Sequence, residues 1–166
     1  MHKQPSTDAE LVKLQHESFD YFLYEVNPAN GLIIDKTAPE WPASIAATGH
    51  ALATYPVRVE RGYMSRFAAV ERTLNTLRFF WKSPQGTEPD ATAYKGFYYH
   101  FLDMQTGRRA WQCELSTVDS AFLLAGALTA VSYFDADTAD EEEIRTLAHC
   151  NRVAILRSNI LLRLGY

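Results

Sequence analysis

The sequence predicts a mainly α-helical fold: helical hairpins stacked side by side, as in a toroid of paired helices, with one short β-hairpin inserted. Three observations carry that expectation. Apolar residues recur at helical spacing in successive stretches. Capping serines and threonines open those stretches, and Gly- or Pro-bearing segments close them. A single aromatic, β-prone run interrupts the series.

The first helix opens on Thr7-Asp8-Ala9-Glu10, a capping box with Thr7 as N-cap and Glu10 three residues on. Leu11, Leu14, Phe19, Phe22, Leu23 and Val26 follow with helical periodicity, and Asn27-Pro28-Ala29-Asn30-Gly31 ends the run. Residues 31–42 read as an ordered loop that closes on Trp41-Pro42. The second helix is expected to start near Pro42, since proline suits a first helical turn. Its early residues (Ala43, Ser44, Ala46, Ala47, Thr48, Gly49) are small enough for close helix packing, and Pro56 is expected to kink or end it.

Gly62 separates the third helix, for which Ser65 is the N-cap; Phe67, Val70, Leu74, Leu77, Phe80 and Trp81 set its period before Ser83-Pro84-Gln85-Gly86 stops it. Gly96 to Leu102 is the first strand of the hairpin, Gln105-Thr106-Gly107 its turn, and Arg108 to Cys113 its return. A fourth helix opens near Ser116 and runs through Leu123, Leu124, Leu128 and Val131 to Phe134. A fifth has its own capping box, Thr138-Ala139-Asp140-Glu141, with acids in the first turn that complement the helix dipole. The domain pattern runs over residues 1–150; residues 151–166 form a divergent basic tail.

Composition narrows the function classes. At 166 residues and 18.8 kDa the chain is one domain or one piece of a larger one. With 47% hydrophobic and 22% charged residues it is globular rather than disordered. The net charge is −4 and no basic stripe stands out, so no nucleic-acid partner is expected. Cys113 and Cys150 are too few for a disulfide framework or a cysteine-based zinc site. There is no run of about 18 apolar residues, so no membrane span is expected. The N-terminus lacks an apolar signal core, which places the chain in the cytoplasm as written. HExxH, GxGxxG, phosphate-loop and GxSxG patterns are absent, and neither a metal nor a cofactor is expected. Asp135 to Asp140 begins like a calcium loop, but Asp140 stands where that loop needs glycine.

Two clusters could carry chemistry. Asp119 lies in the first turn of an apolar, small-residue helix, where partial burial would raise its pKa toward that of a useful general acid or base. Ser116-x-x-Asp119 also resembles a capping box, in which Asp119 only accepts a backbone N–H. Glu114 lies just before that helix, placed to hold a ligand hydroxyl. The second cluster is aromatic: Tyr94, Tyr98, Tyr99 and His100, with Trp111 returning nearby and Trp41 at the end of the long loop. Strand alternation would put Phe97, Tyr99 and Phe101 on one face, and Tyr98 and His100 on the other. Aromatic plates with hydrogen-bonding tips suit a sugar ring at a cleft rim. The bland alternative is a hairpin pinned to the helices by its aromatics.

Several separate motifs, in order, resemble the glycoamylase-like domain family, which includes bacterial endo-β-1,2-glucanases. They are Ser44-Ile45-Ala46-Ala47-Thr48-Gly49, Val59-Glu60-Arg61-Gly62, Thr76-Leu77-Arg78-Phe79-Phe80-Trp81, Lys95 to Asp103, and Glu114-Leu115-Ser116-Thr117-Val118-Asp119. The resemblance covers about residues 10–150. It implies an (α/α)6 toroid with a cleft at one end, here incomplete, and metal-free acid–base hydrolysis of a glucan. Glucanase members carry a carboxylate, usually Glu, where Asp119 stands, and an acid where this chain has Ser116. The resemblance makes Asp119 and Glu114 the catalytic candidates, and an oligo- or polysaccharide the partner. A glycosidase needs two carboxyl groups flanking the bond. The resemblance implies that further carboxylates come from helices beyond this stretch, so little or no turnover is expected. An open toroid would leave apolar helix faces uncovered. Self-association, or association with a missing C-terminal half, is the expected remedy. The alternative function is therefore a helical interaction module that docks a partner through its open apolar edge.

Overall fold

A computed structural model describes residues 7–149. The tail over 151–166 lies outside the described residues. Among the described residues, five helices and five very short strands follow one another: α1 (Thr7–Tyr24), β1 (Ala43–Ser44), α2 (Ile45–Glu60), α3 (Arg66–Lys82), β2 (Ala93–Tyr94), β3 (Phe97–Tyr99), β4 (Phe101–Leu102), β5 (Leu115–Ser116), α4 (Thr117–Tyr133) and α5 (139–149).

Caps set the helix starts. Ser65 Oγ accepts from the Ala68 amide and Ser116 Oγ from the Asp119 amide, as the sequence predicts. Thr138 Oγ1 accepts from the Glu141 amide. The start of α2 differs from expectation. Its N-cap is Ser44, not the region of Pro42, because Ala43 and Ser44 are first held as a strand. Pro56 lies inside α2 and the helix runs on to Glu60. Only the bond to the Leu52 carbonyl is lost, one turn from the helix end. On α1, Leu11 and Leu14 face solvent at 58% and 60% exposure, and no residue of that helix is fully buried.

The core lies where α2, α3, α4 and α5 meet the strand layer. Leu32, Ile33, Ile45, Leu52, Leu77, Phe80, Leu102, Phe134 and Ile144 are buried there. Helices α2 and α4 touch backbone to backbone. A β-carbon added at Gly49 would lie 2.5 Å from the Phe122 carbonyl oxygen, so only glycine permits this approach. The small residues read from the sequence thus serve the close packing expected of them.

Charged side chains tie the outer helices on. Buried Arg58 of α2 reaches Asp20 of α1 at 3.3 Å. Arg66 of α3 grips buried Glu141 of α5 with two contacts of 2.8 Å, and Arg78, near the other end of α3, grips Glu143 of α5.

The strands stitch together the N-terminal ends of α2 and α4. β3 pairs antiparallel with β5, Tyr98 opposite Ser116 and Tyr99 opposite Leu115. β4 pairs antiparallel with β1, Ala43 opposite Leu102 and Ser44 opposite Phe101. One extended segment, 97–102, therefore leads from the start of α4 to the start of α2. The expected return strand survives only as a Leu102–Arg109 bridge beside a Gly107 turn. The second partner of β3 is instead β2, joined through Lys95 and Gly96, both at positive φ. That is the two-residue hairpin geometry whose backbone twist suits antiparallel strands.

Candidate functional site

His100 sits at the crossing of these connections. It lies between β3 and β4, its amide donates to the Glu114 carbonyl (3.1 Å), and its carbonyl accepts from the Ile45 amide (3.3 Å). The backbone of one residue thus bridges the segments that open α2 and α4.

Its imidazole is held as firmly. Nδ1 lies 2.7 Å from Glu114 Oε1 and Nε2 lies 3.6 Å from Asp119 Oδ2. The ring stacks on Phe101 at 3.8 Å and 14°. A hydrogen on Nδ1 serves Glu114 and leaves Nε2 facing the Asp119 carboxyl. In that tautomer Nε2 accepts; protonated, the ring bridges two carboxylates.

Asp119 is half-buried and has a second anchor. Ser116 Oγ donates to Asp119 Oδ2 at 2.5 Å while accepting from the Asp119 amide at 3.1 Å. The cap is real, but the acceptor role falls to the serine. The Asp119 carboxylate binds the capping hydroxyl rather than a backbone N–H. Glu114 is exposed, and its carboxyl is held below the ordinary carboxylate range, chiefly by its own backbone N–H and then by His100.

The three side chains present ligand atoms within 4.8 Å of one another and could hold a cation. Both imidazole nitrogens already face carboxylates, so an ion would have to displace one of them.

The aromatic candidates divide. Trp111 is 58% exposed and meets Trp41 edge to face at 4.7 Å and 78°. Trp111 also lies 5.4 Å from Phe101, which joins the tryptophan pair to the His100 stack. Trp41 is fixed by its indole N–H to Asp35 (3.2 Å) and by Lys36 Nζ, 3.6 Å above its ring. Tyr98 and Tyr99 do not join them. They are 4% and 8% exposed and belong to the core. The Tyr98 hydroxyl donates to the Phe80 carbonyl and its ring packs edge to face on Phe80 at 4.9 Å. Burial drives the Tyr98 phenol far above its ordinary pKa. Both faces of β3 are covered: Phe97, Tyr98 and Tyr99 are all buried, so neither side of the strand offers its rings to a ligand. Tyr94 stands on the β2–β3 hairpin, where Lys95 approaches its ring at 5.5 Å.

Arg109 is a contributor that sequence patterns did not single out. Trp111 and Gln112 both have positive φ, at 53° and 52°. Consecutive left-handed non-glycine residues are strained and need outside support. Arg109 supplies it by donating to the Gln112 carbonyl (2.7 Å) and the Cys113 carbonyl (2.6 Å) from above the Tyr99 ring.

The arrangement is a shallow rim at the N-terminal ends of two closely packed helices, with one acid pair, one imidazole and two tryptophans. Solved structures share the fold that carries this rim. A candidate glucoamylase from Bacteroides uniformis superposes with a TM-score of 0.78 at 28% identity, over 90% of this chain and 36% of that one. This chain folds as part of a glucoamylase-like (α/α)6 toroid. A β-1,2-glucanase from Parabacteroides distasonis gives 0.79 at 24% identity, over 92% of this chain and 22% of that one. An endo-β-1,2-glucanase from Chitinophaga pinensis, solved with sophorotriose and glucose, gives 0.78 at 21%, over 92% and 37%.

Among curated proteins, the chain is 29% identical over 149 residues to an exo-β-1,2-glucooligosaccharide sophorohydrolase of Parabacteroides distasonis, covering 85% of this chain and 19% of that protein. No family model matches the sequence. The chain resembles glycoside hydrolases of β-1,2-glucans and spans about a fifth of that curated relative. Against the toroid structures above it spans between a fifth and two-fifths.

Proposed function

We propose that this chain forms one wall of a carbohydrate cleft of the β-1,2-glucan hydrolase type and binds short gluco-oligosaccharides at the Trp41–Trp111 rim. Asp119 is its acid–base residue and Glu114 the partner that fixes His100. The observation that carries the reading is the placement of His100, between both carboxylates and one ring-stack away from exposed Trp111.

The same observation argues against turnover by these two carboxylates alone. A hydrolase places its carboxyl groups on opposite sides of the scissile bond, about 5–9.5 Å apart. Between Glu114 and Asp119 stands an imidazole, which takes the place a glycosidic oxygen would need. The pair acts from one side, and cleavage requires a further carboxylate facing it.

Titration with sophorose and longer β-1,2-gluco-oligosaccharides, followed by NMR of the indole N–H signals, tests the reading. Saturable millimolar binding that moves Trp41 and Trp111 signals, with no sugar released, is the expected result. No shift at saturating sugar, or release of glucose at ordinary enzymatic rates, would overturn it.

A second reading rests on a separate observation. Val118, Phe122 and Leu128 of α4 are 63%, 46% and 38% exposed, and Thr117, Ala121 and Ala125 join Val118 and Phe122 around one shallow apolar hollow. A face of this kind suits docking of further toroid helices. A single monomeric species in sedimentation at high concentration, with no apolar-dye binding, would count against it.

A further inference from the structure

The solvent side of α4 carries no charge. Val118, Ala121, Phe122, Ala125, Leu128 and Ser132 are exposed and form one stripe along the helix, at steps that keep them on one face. Asp119 is the one charged residue of α4, and it is half-buried at the rim. Two hydroxyls on the stripe are committed to the helix itself: Thr129 donates to the Ala125 carbonyl and Ser132 to the Leu128 carbonyl, both at 2.9 Å. The exposed side of α1 is different. It sets Glu10, Lys13 and Glu17 among its leucines, the ordinary make-up of a helix facing water. The opposite side of α4 is buried through Leu123, Gly126, Ala127 and Ala130. A helix apolar on both sides belongs in an interior, so the stripe calls for a cover.

Chain order and charge point to the cover. Helices α2 and α4 each follow an outer helix, and they lie side by side at the Gly49–Gly126 contact. Residues 151–166 follow α5 in the same way, and the free flank of α4 is the next place in that series. The start is close by: Ile144, Leu147 and Ala148 of α5 share one core with Leu123, Ala127 and Ala130 of α4. The segment has sixteen residues, as many as α2. Val153, Leu156, Ile160 and Leu164 recur in it at steps of three, four and four, the spacing of one apolar helical face. All 20 acidic residues of the chain precede Ile144, whereas the segment carries Arg152, Arg157 and Arg163 and no acid. Acids stand at both ends of the stripe, Glu114 and Asp119 at one and exposed Asp135 and Asp137 at the other. Opposite charge therefore draws the segment back onto the body of the chain.

We propose that residues 151–166 cover the exposed face of α4, setting Val153, Leu156, Ile160 and Leu164 against Val118, Phe122, Ala125 and Leu128. The proposal rests on the same face as the second reading above and gives it an occupant within the chain. It is independent of the sugar rim.

Site-specific photo-cross-linking of the full chain tests it. Phe122→benzoylphenylalanine is introduced, unlabelled and nitrogen-15 chains are mixed, and the captured peptide is mapped by mass spectrometry. The expected result is capture of residues 151–166 within the same chain. Leu14→benzoylphenylalanine, on the charged side of α1, should not capture them. Leu156→Glu with Ile160→Glu should abolish the capture and raise apolar-dye fluorescence several-fold over the parent. Adding Val118→Thr and Phe122→Asn should bring that fluorescence down again, which an unfolded chain would not show. Capture between labelled and unlabelled chains would overturn the proposal and leave the second reading standing, with a second copy as the occupant. Capture of nothing, with no dye bound by the parent, would overturn both. Dye binding by the parent equal to that of the Leu156→Glu, Ile160→Glu chain would overturn the proposal alone, since the face would then be open to a partner.

Discussion

Gly126 of α4 packs so closely on Gly49 of α2 that an added β-carbon at Gly126 would lie 2.0 Å from the Gly49 carbonyl oxygen. This contact fixes the spacing of the two helices whose N-terminal ends carry the rim. Neither backbone can retreat without moving β1 or β5, and with them the groups around His100.

Gly126→Ala should therefore destabilise the fold by more than about 3 kcal/mol, beyond the usual range for overpacking by a small group. Ala127→Gly, one residue away, should cost only about 1 kcal/mol from helix propensity together with its small lost burial. Urea unfolding of both variants checks this. Equal losses would mean that the helices can separate freely.

Much of this was readable in the residues, and the failures have physical causes. Ser65, Ser116 and Thr138 mark helix starts because an N-cap is a local device. Small residues around Gly49 announce close packing, but not that Gly126 is the partner, since that pairing is long-range. Of the two effects expected of Pro56, a kink or an end, the end does not occur: a helix tolerates one lost bond near its terminus. β2 and β5 have two residues each, too few for any alternation to register. Tyr98 and Tyr99 carry the composition of a sugar platform, yet both are buried, Tyr98 against Phe80 of α3 and Tyr99 beneath Arg109. Glu114 and Asp119 stood out as acids beside a helix start. The imidazole between them follows from the register of β3 against β5, which no local pattern encodes.

Trp111→Ala and Tyr98→Phe should separate rim from core. The exposed Trp111 ring contributes little to folding, so its loss should leave stability within about 1 kcal/mol while weakening gluco-oligosaccharide binding roughly tenfold or more. Tyr98→Phe removes a buried hydroxyl from the Phe80 carbonyl and should cost about 1–2 kcal/mol with sugar binding unchanged. Calorimetric titration beside urea unfolding reads both. The reverse pattern would return Tyr98 to the binding surface.

Arg109→Met should act on sugar without touching it. Without its two carbonyl contacts the left-handed Trp111–Gln112 pair loses its support, and the turn relaxes toward ordinary backbone. Trp111 then leaves Trp41. The expected readings are a shifted, broadened Trp111 indole signal and weaker sugar binding, with the Tyr98 and Phe80 environment unchanged. A Trp111 signal identical to that of the parent would show the turn to be self-supporting.

Glu141 gives the fold its acid sensitivity. Arg66 is the largest cause of its lowered pKa; the Ala136 amide and Arg145 add to it, against burial. A carboxyl depressed in the folded state stabilises fully above its unfolded value of about 4.3. That stability is lost as pH falls through the folded value. Glu141→Gln leaves Arg66 unpaired with Glu141, but Arg66 is 38% exposed, so water recovers part of its solvation. The cost at neutral pH should be about 2–3 kcal/mol, below the 3–5 typical of a fully buried pair. Urea midpoints of parent and variant should converge on acidification below about pH 4 and stay parallel above about pH 6. A gap that persists undiminished in acid would mean that Glu141 stabilises by shape and hydrogen bonding rather than by charge.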